Sequence, residues 1–355
     1  MTDRILRHIR PEQFRELILL LVTLGALLFF WSQIPNYFDP RSINRLTVGL
    51  AIPLVVAVGQ MMVVLTRNID LSVSSTVGLT AYVVGTFLTR NDVSPWIAAA
   101  LAIALGCGLG AINGLLVAYG GVPAIITTLG TLAIYRVVLV EISGAKTVTT
   151  DDLPGWVGSF PSNTVVSVAD YDLRAMVAIA LVVLIAGYLV LRFLPFGRRL
   201  YAIGSNPDGA RIAGLPAQRD VFSAFVICGG LAGLGGFLYL VRFGNVTVTA
   251  AQGLELQVVA AVVVGGVSIL GGQGTLFGVL LGVVLIEVMQ QSLLRWSGLS
   301  EFVRDAILGL LILIAITVDA VVLAKLREAW VNTRRRDRAA ARLELSPEGS
   351  ADGAD

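Results

Sequence analysis

Histidine and lysine are almost missing from this chain. Among its 355 residues His8 is the only histidine, and Lys146 and Lys325 are the only lysines. One histidine near the N-terminus cannot furnish an HExxH zinc site, a Ser-His-Asp triad or a Ser-His pair buried in a membrane. Neither lysine follows a glycine, so no GxxxxGK[ST] phosphate loop is present and the chain has no ATPase site of that kind. Cys107 and Cys228 stand singly in apolar segments, as small hydrophobes and not as a disulfide or metal pair. No metal or cofactor is expected. Charge is scarce as well: 14% of residues are charged and 56% hydrophobic, with a mean hydropathy of +0.82, whereas soluble domains carry about 25% charged residues. A net charge of +2 gives no reason to expect nucleic acid as a partner.

What is present is apolar sequence in long runs. Crossing ~30 Å of hydrocarbon takes about 20 mostly apolar residues. Ten segments qualify or come close: 17–34, 46–66, 71–88, 96–119, 123–142, 175–195, 221–241, 255–271, 275–294 and 302–324. The first follows Arg4, Arg7 and Arg10 as a secretory signal would, but "WSQIPNYFDP" offers no small-residue cleavage site, so it is read as a retained span. Positive charge sets the orientation. Arg4, Arg7, Arg10 and Arg15, then Arg198, Arg199, Arg211 and Arg219, then Lys325, Arg327, Arg334, Arg335, Arg336, Arg338 and Arg342 all fall on one side of a ten-span bundle, the cytoplasm. The longest loop on the other side, 143–174, holds Asp151, Asp152, Asp170 and Asp172 against Lys146 and Arg174. The expected class is an all-α polytopic membrane protein of about ten transmembrane helices with both termini cytoplasmic. It comprises a segment 1–16, a transmembrane domain 17–324 with a cytoplasmic loop 196–220, and a charged tail 325–355. The tail is expected to be disordered, its arginines anchoring against the lipid bilayer.

Gly106, Gly110 and Gly114 recur every fourth residue, as do Gly274, Gly278 and Gly282, and Gly229 and Gly233. This spacing puts small residues on one helix face, where backbones approach without a hydrophobic drive, so tight helix packing is expected. An internal echo pairs "VVLTRNIDLSVSSTVG" (63–78) with "VVVGGVSILGGQGTLF" (262–277), sharing Val63/Val262, Val64/Val263, Leu71/Leu270 and Thr76/Thr275. Either chance or a parallel repeat explains it.

The loop "GRRLYAIGSNPDGARIAGLPAQR" (197–219) is the largest cytoplasmic insertion. Asn206-Pro207-Asp208 reads as a helix start, with proline in the first turn and an acid favoured by the dipole. Gly214 ends the short helix and Pro216 prevents its continuation. It is either a docking element or an amphipathic connector at the lipid surface.

"NIDLSVSS", "GAINGLLVAYGGVPAIITTLGTLAIYR", "GRRLYAIGSNPDGARIAGL" and "GLELQVVAAVVVGGVSILGGQGTLFG" occur in that order. Together, over residues 45–320, they resemble the permease subunits of bacterial ABC importers for ribose and related monosaccharides. "LTRNIDLSV" looks closest to the branch importing rhamnose or autoinducer 2. Ser74 stands where the family usually has glycine, and Arg136-Val137 where it usually has Arg-Gly. The resemblance implies a permease domain partnered by a cytoplasmic ABC ATPase, an extracytoplasmic sugar-binding protein and a second permease, identical or related, in the plasma membrane. It makes 206–214 the coupling helix: Asn206 and Pro207 begin it, Asp208 and Arg211 make charged contacts with the ATPase, and Ala210 and Gly214 permit close packing there.

The segment "TRNID" (66–70) interrupts apolar sequence on both sides. Asp70 can cap the following helix through amides at Ser72 or Val73. The segment is either a tight cytoplasmic turn or a break within the membrane beside the sugar pathway. In the second case Arg67 and Asp70 are expected to pair, an unpaired charge at the bilayer centre costing ~2.5–3.5 kcal/mol. Polar residues that could line the pathway are Asn68, Asp70, Ser72, Asn113, Thr128, Gln257 and Ser268, with Thr127 and Thr131 beside them; each also fits an interhelical hydrogen bond. Glu287 is the most deeply embedded acid and the only support for a rival class, an ion-coupled secondary transporter.

Overall fold

The computed structural model describes residues 11–297 apart from 169 and 170, and single positions between 300 and 313. Helix α1 (Pro11–Gln33) is followed by α2 (Pro40–Leu65), and the order thereafter centres on α2. From Ala51 to Leu65 every residue of α2 is buried. A helix that is apolar all round belongs at the middle of a bundle. Around it pack α7 (Ala175–Phe193), α10 (Ala217–Phe243), α11 (Leu254–Val264) and α12 (Leu276–Ser297). Helix α3 (Val73–Leu88) lies against α10 and α5 (Ala124–Ser143), α4 (Pro95–Gly114) against α10, and α1 against α12. Met1–Leu308 forms one unit and Gly309–Asp355 another. Most of the second, with most of the expected segment 302–324 and the whole tail 325–355, lies outside the described residues, as does the segment 1–10.

Among the described residues seven helices are long and apolar enough to span a membrane: α1, α2, α4 with the π-helical turn Leu115–Tyr119 that prolongs it, α5, α7, α10 and α12. Two expected spans are shorter. The segment expected at 71–88 is a helix of 16 residues, α3. The segment expected at 255–271 ends at Val264 after 11 residues, which is ~16 Å of helix and no crossing. Gly265 and Gly266 stop it, and Gly266, Gly271, Gly272 and Gly274 all take positive φ, which leaves 265–275 irregular. The outer loop departs from a purely helical reading. It holds the short helix α6 (Gly155–Ser159) and an antiparallel hairpin, β1 (Thr164–Val168) with β2 (Tyr171–Arg174).

Glycine replaces apolar bulk where helices cross. A Cβ on Gly106 would lie 2.1 Å from the Gly229 carbonyl oxygen, and one on Gly110 2.3 Å from that of Phe225. Gly114 is closed over by Phe222 and Phe225, so the whole stripe of α4 faces α10. On α12, Gly278 meets the carbonyl of Gly265 and Gly282 that of Ala261. Gly274 is not on that face; it precedes the helix at φ +138°, pressed against Val267. Lipid tails reward no apolar burial, so close backbone contact must hold these crossings. Gly108 sits on the same helix with nothing near its Cβ position. Gly110→Val is therefore expected to reduce the monodisperse fraction in detergent sharply, while Gly108→Val leaves it near wild type. Equal elution profiles for the two variants would refute this packing.

Candidate functional site

Helix α2 stops because the chain turns at Arg67, which takes φ +69°. Asn68 closes the turn by donating to the Thr66 carbonyl (3.0 Å) and hydroxyl (2.9 Å). Asp70 then points into the bundle, 1% exposed. Its Oδ1 accepts from the Ser72 amide at 2.9 Å and from the Ser72 hydroxyl at 2.7 Å. Asn113 of α4 donates to Ser72 Oγ at 2.8 Å and lies 3.5 Å from each carboxylate oxygen. Thr128 of α5 donates to the Ile69 carbonyl at 3.2 Å. From α2, the fully buried side-chain amide of Gln60 donates to the Asp70 carbonyl and accepts from its N–H, both at 3.1 Å. The break is thus satisfied by three helices, as irregular backbone within a membrane requires.

Asn113 stands six residues before Tyr119, where α4 and its π-turn end, about 9 Å along the helix axis at 1.5 Å per residue. The expected Arg67–Asp70 pair does not form. Arg67 turns the other way, with Nε donating to the Gly204 carbonyl at 2.6 Å and Nη2 to that of Ser205 at 3.1 Å. The carboxylate has hydroxyl and amide donors instead, and the guanidinium has two carbonyls at the end of α8 (Pro195–Ser205). Gln60 carries no motif; its one signal is a long polar side chain in an apolar run.

The second break, 265–275, lies against the first. The Gly272 amide donates to the Leu65 carbonyl at 2.9 Å, capping the end of α2. Ser268 belongs to this loop: its amide donates to Gln273 O and its hydroxyl accepts from the Leu270 amide. Ser205 Oγ donates to the Gly272 carbonyl at 3.2 Å, and Tyr201 to that of Gly274 at 2.9 Å. A Cβ on Gly204 would fall 1.8 Å from the Leu65 oxygen. The two segments that echo each other in sequence therefore both change from helix to break and back, and they meet at the end of α8.

Beyond α8 the chain makes α9 (Pro207–Ile212), capped by the Asn206 side chain accepting from the Gly209 amide at 2.9 Å. Asp208 and Arg211 are exposed, as is Gly214, whose φ of +72° ends the helix. Ala210 is buried at 5% against its own chain. The apolar residue on the outer face is Ile212, 88% exposed. Arg199 of α8 grips Asp220 of α10 through two bonds of 2.6 and 2.8 Å, bracing the loop at both ends. Gln257 belongs to neither group. It lies near the start of α11, beside Glu287.

Removing the Asp70 carboxylate leaves buried donors on Ser72 and Asn113 without their acceptor, at ~1–3 kcal/mol per group. Asp70→Ala is expected to lower the unfolding temperature in detergent and substrate uptake together. Asp70→Asn, which keeps an acceptor oxygen, is expected to lose less of both. An unchanged melting curve for Asp70→Ala would show that the carboxylate does not hold the break.

A permease family described as "Branched-chain amino acid transport system / permease component" matches residues 42–316. The chain is also similar to proteins named autoinducer 2 import system permease protein LsrC. That of Enterobacter sp. (strain 638) is 34% identical over 321 residues, 90% of this chain and 90% of the relative. That of Klebsiella pneumoniae subsp. pneumoniae is 34% identical over 331 residues, 93% and 91% of the two chains, and that of Yersinia enterocolitica 33% over 302 residues, 85% and 81%. No solved structure matches the chain. The chain belongs to this permease family, in its ribose and autoinducer-2 branch, and is a multi-pass inner-membrane component of an ABC importer.

Proposed function

We propose that this chain forms part of the membrane channel of an ATP-driven importer, moving a monosaccharide-like substrate inward by alternating access. Rhamnose, autoinducer 2 and related sugars are the substrates proposed. The observation that carries this reading is the similarity, over 90% of both chains, to a permease named for autoinducer 2 import. ATP is hydrolysed by a separate cytoplasmic subunit, since this chain has no phosphate loop. A sugar-binding protein delivers the substrate to the outer face, where 143–174 and its hairpin lie. A second permease, a copy or a relative, completes the channel. In this reading ten spans place both termini in the cytoplasm.

Helix α9 supports the coupling role. It projects Asp208, Arg211 and Ile212 from a loop braced by Arg199–Asp220. A nearly bare isoleucine next to Arg211 and one turn from Asp208 suits a groove with an apolar floor and polar rim. When the ATPases close, α9 moves, and α8 carries that movement to the two breaks through Arg67, Ser205 and Gly204. Paired breaks between rigid helices are where a two-state rearrangement can be absorbed. The ion-coupled alternative rests on Glu287, which Gln291 holds at 3.0 Å. Asp70 is buried more deeply, at 1% against 4% for Glu287, but Ser72 and Asn113 engage it. This supports the alternative less well than the loop supports ATPase docking.

The reading is tested by co-purification with the candidate ATPase, comparing wild type with Ile212→Asp and with Asp208→Ala/Arg211→Ala. Wild type is expected to retain an active ATPase in lipid, and both variants to lose it while eluting as folded protein. Uptake by wild type without any ATPase would establish the ion-coupled alternative instead.

A further inference from the structure

The chain holds a polar cavity that the coupling machinery does not use. Helix α10 begins beside the coupling loop and runs 27 residues to Phe243, about 40 Å at 1.5 Å per residue. The cavity lies at that far end, with a volume of about 290 Å³. Three features of separate segments build it. Pro53 has no amide proton, so the Gly49 carbonyl four residues earlier is left without its helical donor; Arg242 Nη1 approaches it at 3.4 Å. Gly49 also makes room for an acid, since a Cβ there would lie 1.9 Å from Glu287 Oε1. Glu287 in turn accepts from Gln291 at 3.0 Å, and Gln257 reaches it from α11. Gln252 and Gln290 complete the polar wall. On the other wall Tyr239 and Phe243 stand 4.6 Å apart between ring centroids, with Arg242 over the Phe243 ring.

Half-buried Gln257, Gln290 and Gln291, with the exposed Gln252, gather four carboxamides around one cavity, and such groups are costly to bury in an apolar bundle unless they line water or a ligand. Each offers both donors and an acceptor, which matches hydroxyl groups, and the ring wall suits the C–H face of a sugar. The volume falls at the small end of ligand sites, which run from about 300 to 1,000 Å³. We propose that this cavity is a binding site for a small neutral polyhydroxylated ligand, occupied by the substrate as it enters from the side opposite the coupling loop. This rests on the importer reading above and assigns a stopping point within this single chain. A branched-chain amino acid is the competing occupant: Arg242 and Glu287 could take its two charges and Ile52, Leu254 and the rings its side chain, but that side chain offers the glutamine carboxamides no hydrogen-bonding partner.

The test uses the importer assembled with its ATPase in nanodiscs, with Gln291→Cys placed in a Cys107→Ser background; Cys228 is fully buried. Modification by a hydrophilic methanethiosulfonate is timed alone and with D-ribose, L-rhamnose, autoinducer 2 or L-leucine. At least one sugar is expected to slow modification about threefold at a concentration twice its Kd, by simple occupancy, while L-leucine does not. In parallel, Gln257→Leu, checked for assembly, is expected to reduce uptake about tenfold, the effect of ~1.4 kcal/mol of lost binding. Protection by L-leucine alone overturns the ligand class. No protection by any sugar, with wild-type uptake in Gln257→Leu, overturns the site while leaving the importer reading intact. Protection by a sugar without ATP-driven uptake by the wild type supports the site and overturns the importer reading.

Discussion

A carboxylate and an open stretch of backbone cannot rest among apolar helices unless the chain itself supplies every hydrogen bond they need. This constraint governs residues 66–72. Gln60 closes the main chain of Asp70, Ser72 and Asn113 close its side chain, and Thr128 closes Ile69. Each partner comes from a different part of the fold, so α2, α4 and α5 must stand in register for the break to exist. The glycine stripe of α4 against α10 fixes one of those positions, because Gly106 and Gly110 tolerate no side chain there.

The same break is the meeting point of α2, α8 and the irregular segment 265–275. At its flank Arg67 is bonded to the end of α8, and the second break caps the end of α2 through Gly272. Asp70 therefore locks the inside of the segment while Arg67 ties its edge to the end of α8. A residue pair that might have neutralised itself instead divides into a fixed half and a connected half. The polar cavity lies elsewhere, at the opposite end of α10, so the proposed binding site and the proposed coupling helix occupy different ends of that helix.

Much of this was legible in the residues. Apolar run length marked most helices, four-residue glycine spacing marked the crossings, and Asn206-Pro207 marked the start of α9. The weak echo between 63–78 and 262–277 corresponds to a shared helix–break–helix course. Other features were hidden for physical reasons. The run 255–271 stays apolar through Val267 and Ile269, so composition extended a helix that Gly265 and Gly266 end. Asp70, Asn113 and Thr128 were selected as pathway residues because they are polar, yet polarity does not say whether a side chain faces a cavity or a neighbour. A six-residue helix buries one face on its own chain, here that of Ala210, and only three-dimensional packing shows which. The cavity at the far end of α10 joins Gly49, Pro53, Arg242 and Glu287 across three segments, a convergence that no local pattern announces.

The central claim is that movement at the coupling loop reaches the interior through Arg67. Its most direct test is the ratio of substrate transported to ATP hydrolysed by the reconstituted importer carrying Arg67→Ala. The expected result is an assembled complex that still hydrolyses ATP but transports roughly tenfold less substrate per ATP, the scale of one lost polar contact. An unchanged ratio would contradict the account and place the transmission of movement elsewhere in the fold.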